Sequence, residues 1–229
     1  MVFFLFPIKN NISLDELKTY SLGVDLASLS KYLKVNPHKK HTQDFFLSML
    51  RYIKDNNLED NNHVIALLYG HVAHYFFDIN AHPYIYYLVK NAQISGFIPA
   101  HQLVEGYYDS YLAKHILYKD IMQVNDSYFN KANLKVNGVC KLLNDVYGHI
   151  YGDDNIIKTY RDTILIFSLI EKIAKAPIFN QEILINFSQF KEFLQINNLT
   201  TNILNNENHF SYSNPITGEI DNKSFLDMF

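Results

Sequence analysis

From Asn61 to Ala81 the sequence gives a helix almost no polar side: Val64, Ile65, Leu67, Leu68, Val72, Tyr75, Phe76 and Phe77 are spread around it. Such a helix belongs at the centre of a bundle. Yet the same stretch carries His71, His74 and Asp78, with His82 just past it. His74, Asp78 and His82 recur every four residues, and at about 100° per residue they share one stripe. About one helix further on, His101, Glu105 and Asp109 repeat that spacing. Burying a neutral polar group without a partner costs on the order of 2–7 kcal/mol, and burying a charge costs more. A divalent metal satisfies several such groups at once. Imidazole nitrogen and carboxylate oxygen without thiolate suit zinc, with iron or manganese behind it. A purely structural hydrogen-bond network is the alternative for any one histidine. The repeated spacing on two helices favours metal.

Helical periodicity runs through most of the chain. Ser13 with Glu16 three residues on forms a capping box, opening a helix to about Tyr20 that Gly23-Val24-Asp25 breaks. A second helical segment runs to about Leu33, and a loop with Pro37 follows. Thr42 caps a helix with Phe45, Phe46, Met49, Leu50 and Ile53 on one side, ending at Asn56-Asn57. Pro83 disfavours helical geometry at His82, so the central helix is expected to stop there. Pro99 fits the first turn of the next long helix. Further helices are expected over about Asp126–Tyr147, Asp154–Ala174 and Gln181–Gln195, then an irregular Asn-rich tail from Asn197. Strand signals are few, and no linker separates two cores. The expectation is one all-α domain over residues 1–229, a multi-helix bundle.

Composition narrows the function. With 48% hydrophobic and 15% aromatic residues a packed core is available, so the chain is not a disordered one. Lys+Arg 20 against Asp+Glu 23 leaves no basic excess for a nucleic-acid partner. The lone Cys140 excludes an internal disulfide and a tetrathiolate zinc site, and is expected to be a small buried residue. No apolar run approaches the roughly 20 residues of a spanning helix. The nearest, Ile164–Ile170, is bracketed by Arg161, Asp162, Glu171 and Lys172. The start, Met1 to Pro7, lacks the parts of a signal peptide, so a cytoplasmic protein with no transmembrane segment is expected. HExxH, a glycine-rich phosphate loop and a nucleophile elbow are absent.

The stretch Gly70–Tyr84, G-H-V-A-H-Y-F-F-D-I-N-A-H-P-Y, resembles the G-F-x-x-H-x-x-x-D-x-x-x-H-P-Y motif of the zinc-dependent phospholipase C family. Ser95–Asp109 resembles that family's H-x-x-x-E-x-x-x-D helix. Leu22–Asp25 resembles its G-P-D turn, His38–Phe45 its H-x-x-x-T-x-x-F, and Asn214–Gly218 with Ser224-Phe225 also has its flavour. The likeness is to the small bacterial, intracellular-looking branch, and it implies the helical fold of the phospholipase C and P1 nuclease type. The resemblance further implies two zinc ions, one on Asp25, His38, His74 and Asp78 and the other on His82, His101 and Glu105. His38 is preferred to His41 because it lies seven residues before Phe45, as in the family pattern. A water activated between two metals would attack a phosphodiester, with Asp25 or Asp109 taking its proton or orienting a ligand. The implied partner is a small phosphoester or a phospholipid headgroup. Secreted members hold a third zinc through the N-terminal residue and a nearby histidine. No histidine precedes His38, so two ions are expected. The alternative is a non-catalytic, metal-stabilised binding or structural module.

Other histidines and tyrosines are expected to do less. His71 is read as a core or supporting residue, and His115 as equally well inward or exposed. His149 is placed in a surface loop, and His63 and His209 are expected to be exposed. Tyr84, Tyr86, Tyr87, Tyr107 and Tyr108 either wall a cleft or, more often for such residues, pack in the core. Lys39-Lys40 is expected to be solvated.

Overall fold

The computed structural model describes residues 12–28, 43–92, 101, 104–105, 108, 111–112, 116, 118, 137–174, 206–214, 217–225 and 227. Ser13 starts α1 (Leu14–Tyr20), its hydroxyl accepting from the Glu16 N–H at 3.3 Å. The Glu16 carboxylate reaches His63 Nδ1 at 2.8 Å. His63, expected to be exposed, is therefore only partly so, because it supplies a partner to a carboxylate that is 3% exposed. A turn at Gly23 leads into α2 (Asp25–Ser28). The continuation expected to Leu33, the Pro37 loop and the Thr42 cap lie outside the described residues.

Helix α3 (Gln43–Asp55) buries Phe45, Phe46, Met49 and Ile53, the i, i+3, i+4 pattern of one inward face. It ends as expected. Asn57 takes φ 53, its N–H donates to the Lys54 carbonyl at 3.2 Å, and the Leu58 N–H donates to Ile53 at 2.9 Å. That is the Schellman ending, with Asn in the left-handed position instead of Gly.

Helix α4 (Asn62–Ala92) corrects the expectation that the central helix stops at His82, for Pro83 lies inside it. Proline in a helix interior removes one backbone bond and costs ~3 kcal/mol. Against that, Tyr84, Ile85 and Leu88 beyond it are buried, each worth ~1.5–3 kcal/mol. Burial outweighs the local cost, so the helix continues.

From Asn137 the chain is helical to Tyr151: α5 (Asn137–Leu142), a π-helical turn (Leu143–Gly148) and α6 (His149–Tyr151). His149 thus sits on a helix, not in a loop, though it is exposed as expected. Carrying the helix past Gly148 buries Tyr151 completely, and this decides the boundary. Cys140 is half-buried. Helix α7 (Ile156–Ala174) follows Asp153, a 1%-exposed carboxylate that accepts from the Asn155 N–H and the Thr159 hydroxyl at 2.8 and 2.7 Å. The expected start of the Asp126 helix, the helix at 181–195 and Pro99 fall outside the described residues.

The tail is not irregular throughout. Tyr212–Ser213 (β1) and Ile220–Asp221 (β2) pair antiparallel, Tyr212 opposite Asp221.

The chain divides into two compact units, Met1–Tyr75 with Ser127–Glu171, and Phe76–Asp126 with Lys172–Phe229. The core of the first gathers Tyr20, Phe45, Met49, Leu67, Leu68, Val139, Tyr147 and Tyr160 among others. His71 belongs to it, fully buried, bonded to the Leu67 carbonyl and the Tyr160 hydroxyl at 3.1 Å each, as a core histidine should be. The second core joins Ala81, Tyr84, Ile85 and Leu88 of α4 to Val104, Tyr108, Tyr212 and Phe225. Two short strands apart, the described structure is helical, and the fold is all-α.

Candidate metal centre

In the second unit, helix α4 presents His82 and the helical residues near 101–112 present His101 and Glu105. The four-residue spacing of His101 and Glu105 puts both on one side of their helix. His101 Nε2 lies 2.7 Å from Glu105 Oε1, and His82 Nε2 lies 3.1 Å from the same oxygen. One ligand atom from each of the three residues falls within 4.8 Å of the others. Asp78 stands beside them, its Oδ1 3.7 Å from His82 Nε2. The side chains are 16–34% exposed, sunk but reachable from solvent.

Burial pushes the Glu105 carboxyl up, but hydrogen bonds and positive charge from His101 and His82 outweigh it and bring it to about 2. Glu105 is therefore an anion at any physiological pH. The Tyr86 ring centroid is 5.3 Å from each imidazole. Burial raises its hydroxyl, and the charges of Glu105 and Asp78 raise it further, so it stays protonated. Tyr86 continues the His74, Asp78, His82 interval by one more turn. That register is the signal by which the sequence could have singled it out from the other tyrosines. Tyr84 and Tyr108 are core residues, Tyr87 is half-buried, and Tyr107 is outside the described residues.

Two imidazoles and one carboxylate leave a fourth tetrahedral position open, the pattern of a catalytic rather than a structural zinc site. The donor set fits zinc, and it contains no thiolate.

In the first unit His74 is held differently. Its Nδ1 meets the Ser21 carbonyl at 3.2 Å. A carbonyl can only accept, so Nδ1 carries the proton and Nε2 carries the lone pair, the tautomer a metal ligand needs. Two glycines permit this contact. A Cβ on Gly23, which has φ 53, would lie within 2.6 Å of the His74 Cβ. A Cβ on Gly70 would come within 2.5 Å of the Tyr20 backbone, so the α1 end could not approach α4. The sequence marked Gly23 as a helix breaker and as part of the G-P-D-like turn, not as a contact for His74. Asp25 is half-buried at the start of α2, two residues past Gly23. His38, His41, Lys39, Lys40, Asp109 and His115 lie outside the described residues.

An all-α fold that gathers two imidazoles and a carboxylate from separate helical turns offers a site that could hold a metal ion. The chain belongs to the zinc-dependent phospholipase C family, whose model matches residues 6–155. No curated protein and no solved structure matches it at a significant level. Among the described residues no helix is long and apolar enough to cross a membrane.

Proposed function

We propose that the protein is a zinc-dependent phosphodiesterase acting on a phospholipid headgroup or a related small phosphoester. The observation that carries this is the His82–His101–Glu105 cluster in a chain of that family. In this reading His82, His101 and Glu105 hold one zinc, and Asp25, His38, His74 and Asp78 hold a second. The His74 tautomer fixed by Ser21 supports a ligand role for Nε2. Zinc bound there would supply Lewis-acid stabilisation and a water acidic enough to attack phosphorus at neutral pH. The chain's own part is to orient the ligands. Glu105 offers a permanent anion, Asp78 stands beside His82 at 3.7 Å, and Asp25 or Asp109 serves as proton acceptor. In this reading residues 1–229 work as a single domain. The single cysteine suits a reducing cytoplasm.

The test is hydrolysis of a chromogenic phosphodiester by purified protein, before and after chelation. Turnover that chelator abolishes and added zinc restores is the expected result. Zinc-loaded, folded protein that turns over neither this substrate nor phosphatidylcholine would leave a metal-stabilised binding module in its place.

A further inference from the structure

The C-terminal segment 206–227 lies outside the residues that match the family, yet it packs on both helices that carry the cluster. It is tied into a knot by its own polar groups. Asn206, 2% exposed and at φ 50, reaches the carbonyls of Phe210, Asn222 and Lys223 at 3.0, 3.3 and 2.9 Å and accepts from the Phe210 N–H at 2.9 Å. The β1–β2 hairpin closes on it, and the Ser224 hydroxyl donates to Asp227 at 2.6 Å. This frame projects two aromatic rings inward. Phe225, fully buried, stacks face to face on Tyr108 with centroids 3.7 Å apart and 9° between planes. Tyr212, 4% exposed, packs against Tyr84 and Tyr87 at 4.7 and 5.7 Å.

The positions of the partners matter. Tyr108 is one helical turn beyond Glu105, and Tyr84 is two residues beyond His82. Stacking on Tyr108 fixes the roll of the His101–Glu105 helix, and packing on Tyr84 fixes that of α4. The cluster requires both, because its three donor atoms converge within 4.8 Å from two helices. A roll of one helix by a fraction of a turn would carry a ligand atom past coordination reach. Cys140 being the lone cysteine, no disulfide sets that angle, which is left to apolar packing and to the 3.1 Å His82–Glu105 contact. Among the described residues, the tail supplies two of the eight buried in this core, both aromatic.

We infer that segment 206–227 is a positioning element for the metal cluster, with Phe225 acting through Tyr108 and Tyr212 acting through Tyr84. The inference rests on the zinc reading of that cluster. It makes the affinity of the cluster depend on residues far along the chain that never touch the ion.

The test measures zinc affinity of the full chain by competition with a chromogenic chelator, together with melting temperature and the visible spectrum of the cobalt-substituted protein. Phe225→Ala should weaken binding at the His82 cluster about 10–100-fold, the range seen when groups supporting metal ligands are removed. It should also alter the cobalt bands. Phe225→Leu, which refills most of the volume, should recover part of both. Ile53→Ala, in the core of the first unit, should lower the melting temperature while leaving affinity at this cluster unchanged. If Phe225→Ala does not fold, the graded loss in Phe225→Leu against Ile53→Ala decides the matter. Equal affinity in wild type and the Phe225 variants, or equal losses in Ile53→Ala, would overturn the inference. A wild type that binds no zinc would instead overturn the reading on which it rests.

Discussion

At the scale of single residues, Glu105 is the group on which the cluster turns, since both imidazoles reach the same carboxylate oxygen. Its pKa falls from 4.5 in the free side chain to about 2 in the fold. A folded-state value below the unfolded one stabilises the protein above pH 4.5, and that contribution is lost as pH drops toward 2. In metal-free protein, the melting-temperature gap between wild type and Glu105→Gln should therefore be full at about pH 5 and close toward about pH 2. A constant gap would mean that the carboxylate charge is irrelevant. His82→Ala should cut zinc affinity at the cluster at least about 10-fold, read by calorimetry, since a ligand matters no less than the groups that support it.

At the scale of elements, the meeting of α1, α2 and α4 depends on backbone that side chains would block. Gly23→Ala asks for a left-handed conformation unfavourable to alanine by roughly 1–2 kcal/mol and drives a methyl into His74. Loss of more than that in urea unfolding is expected, because the ring must also leave the Ser21 carbonyl. A loss below about 1 kcal/mol would show that His74 is free to move. Much of the local structure was legible in the sequence. The Ser13 cap, the Asn57 ending and the inward face of α3 follow from local rules, and they stand in the structure. The end of α4 did not follow, because a local rule about Pro83 was opposed by Tyr84, Ile85 and Leu88, whose burial depends on residues distant in sequence. The β1–β2 hairpin was hidden for the same reason. Two-residue strands carry no periodicity, and Tyr212 and Phe225 are read as core only once Tyr84 and Tyr108 are known to meet them.

At the scale of the whole molecule, His82, His101 and Glu105 were legible as candidate donors from spacing and residue type, while their grouping into one set came from the family resemblance. Imidazoles and carboxylates at repeated four-residue intervals on apolar helices are costly to bury unless something joins them. The roles of Tyr86, Ser21 and Gly23 were less legible. They depend on how ring faces and carbonyls meet across elements, a matter on which spacing is silent. A chain built around metal donors should be stabilised by metal in proportion to RT ln(1 + [L]/Kd). Zinc at about 100 times its dissociation constant should then raise stability by about 2.7 kcal/mol. The most direct test of the central claim is the zinc content of the purified, folded chain, measured by elemental analysis beside the variant His82→Ala/His101→Ala/Glu105→Ala. Two zinc ions per wild-type chain and one per variant chain is the predicted result. Folded wild-type protein that keeps no zinc after equilibration with a slight excess would contradict it.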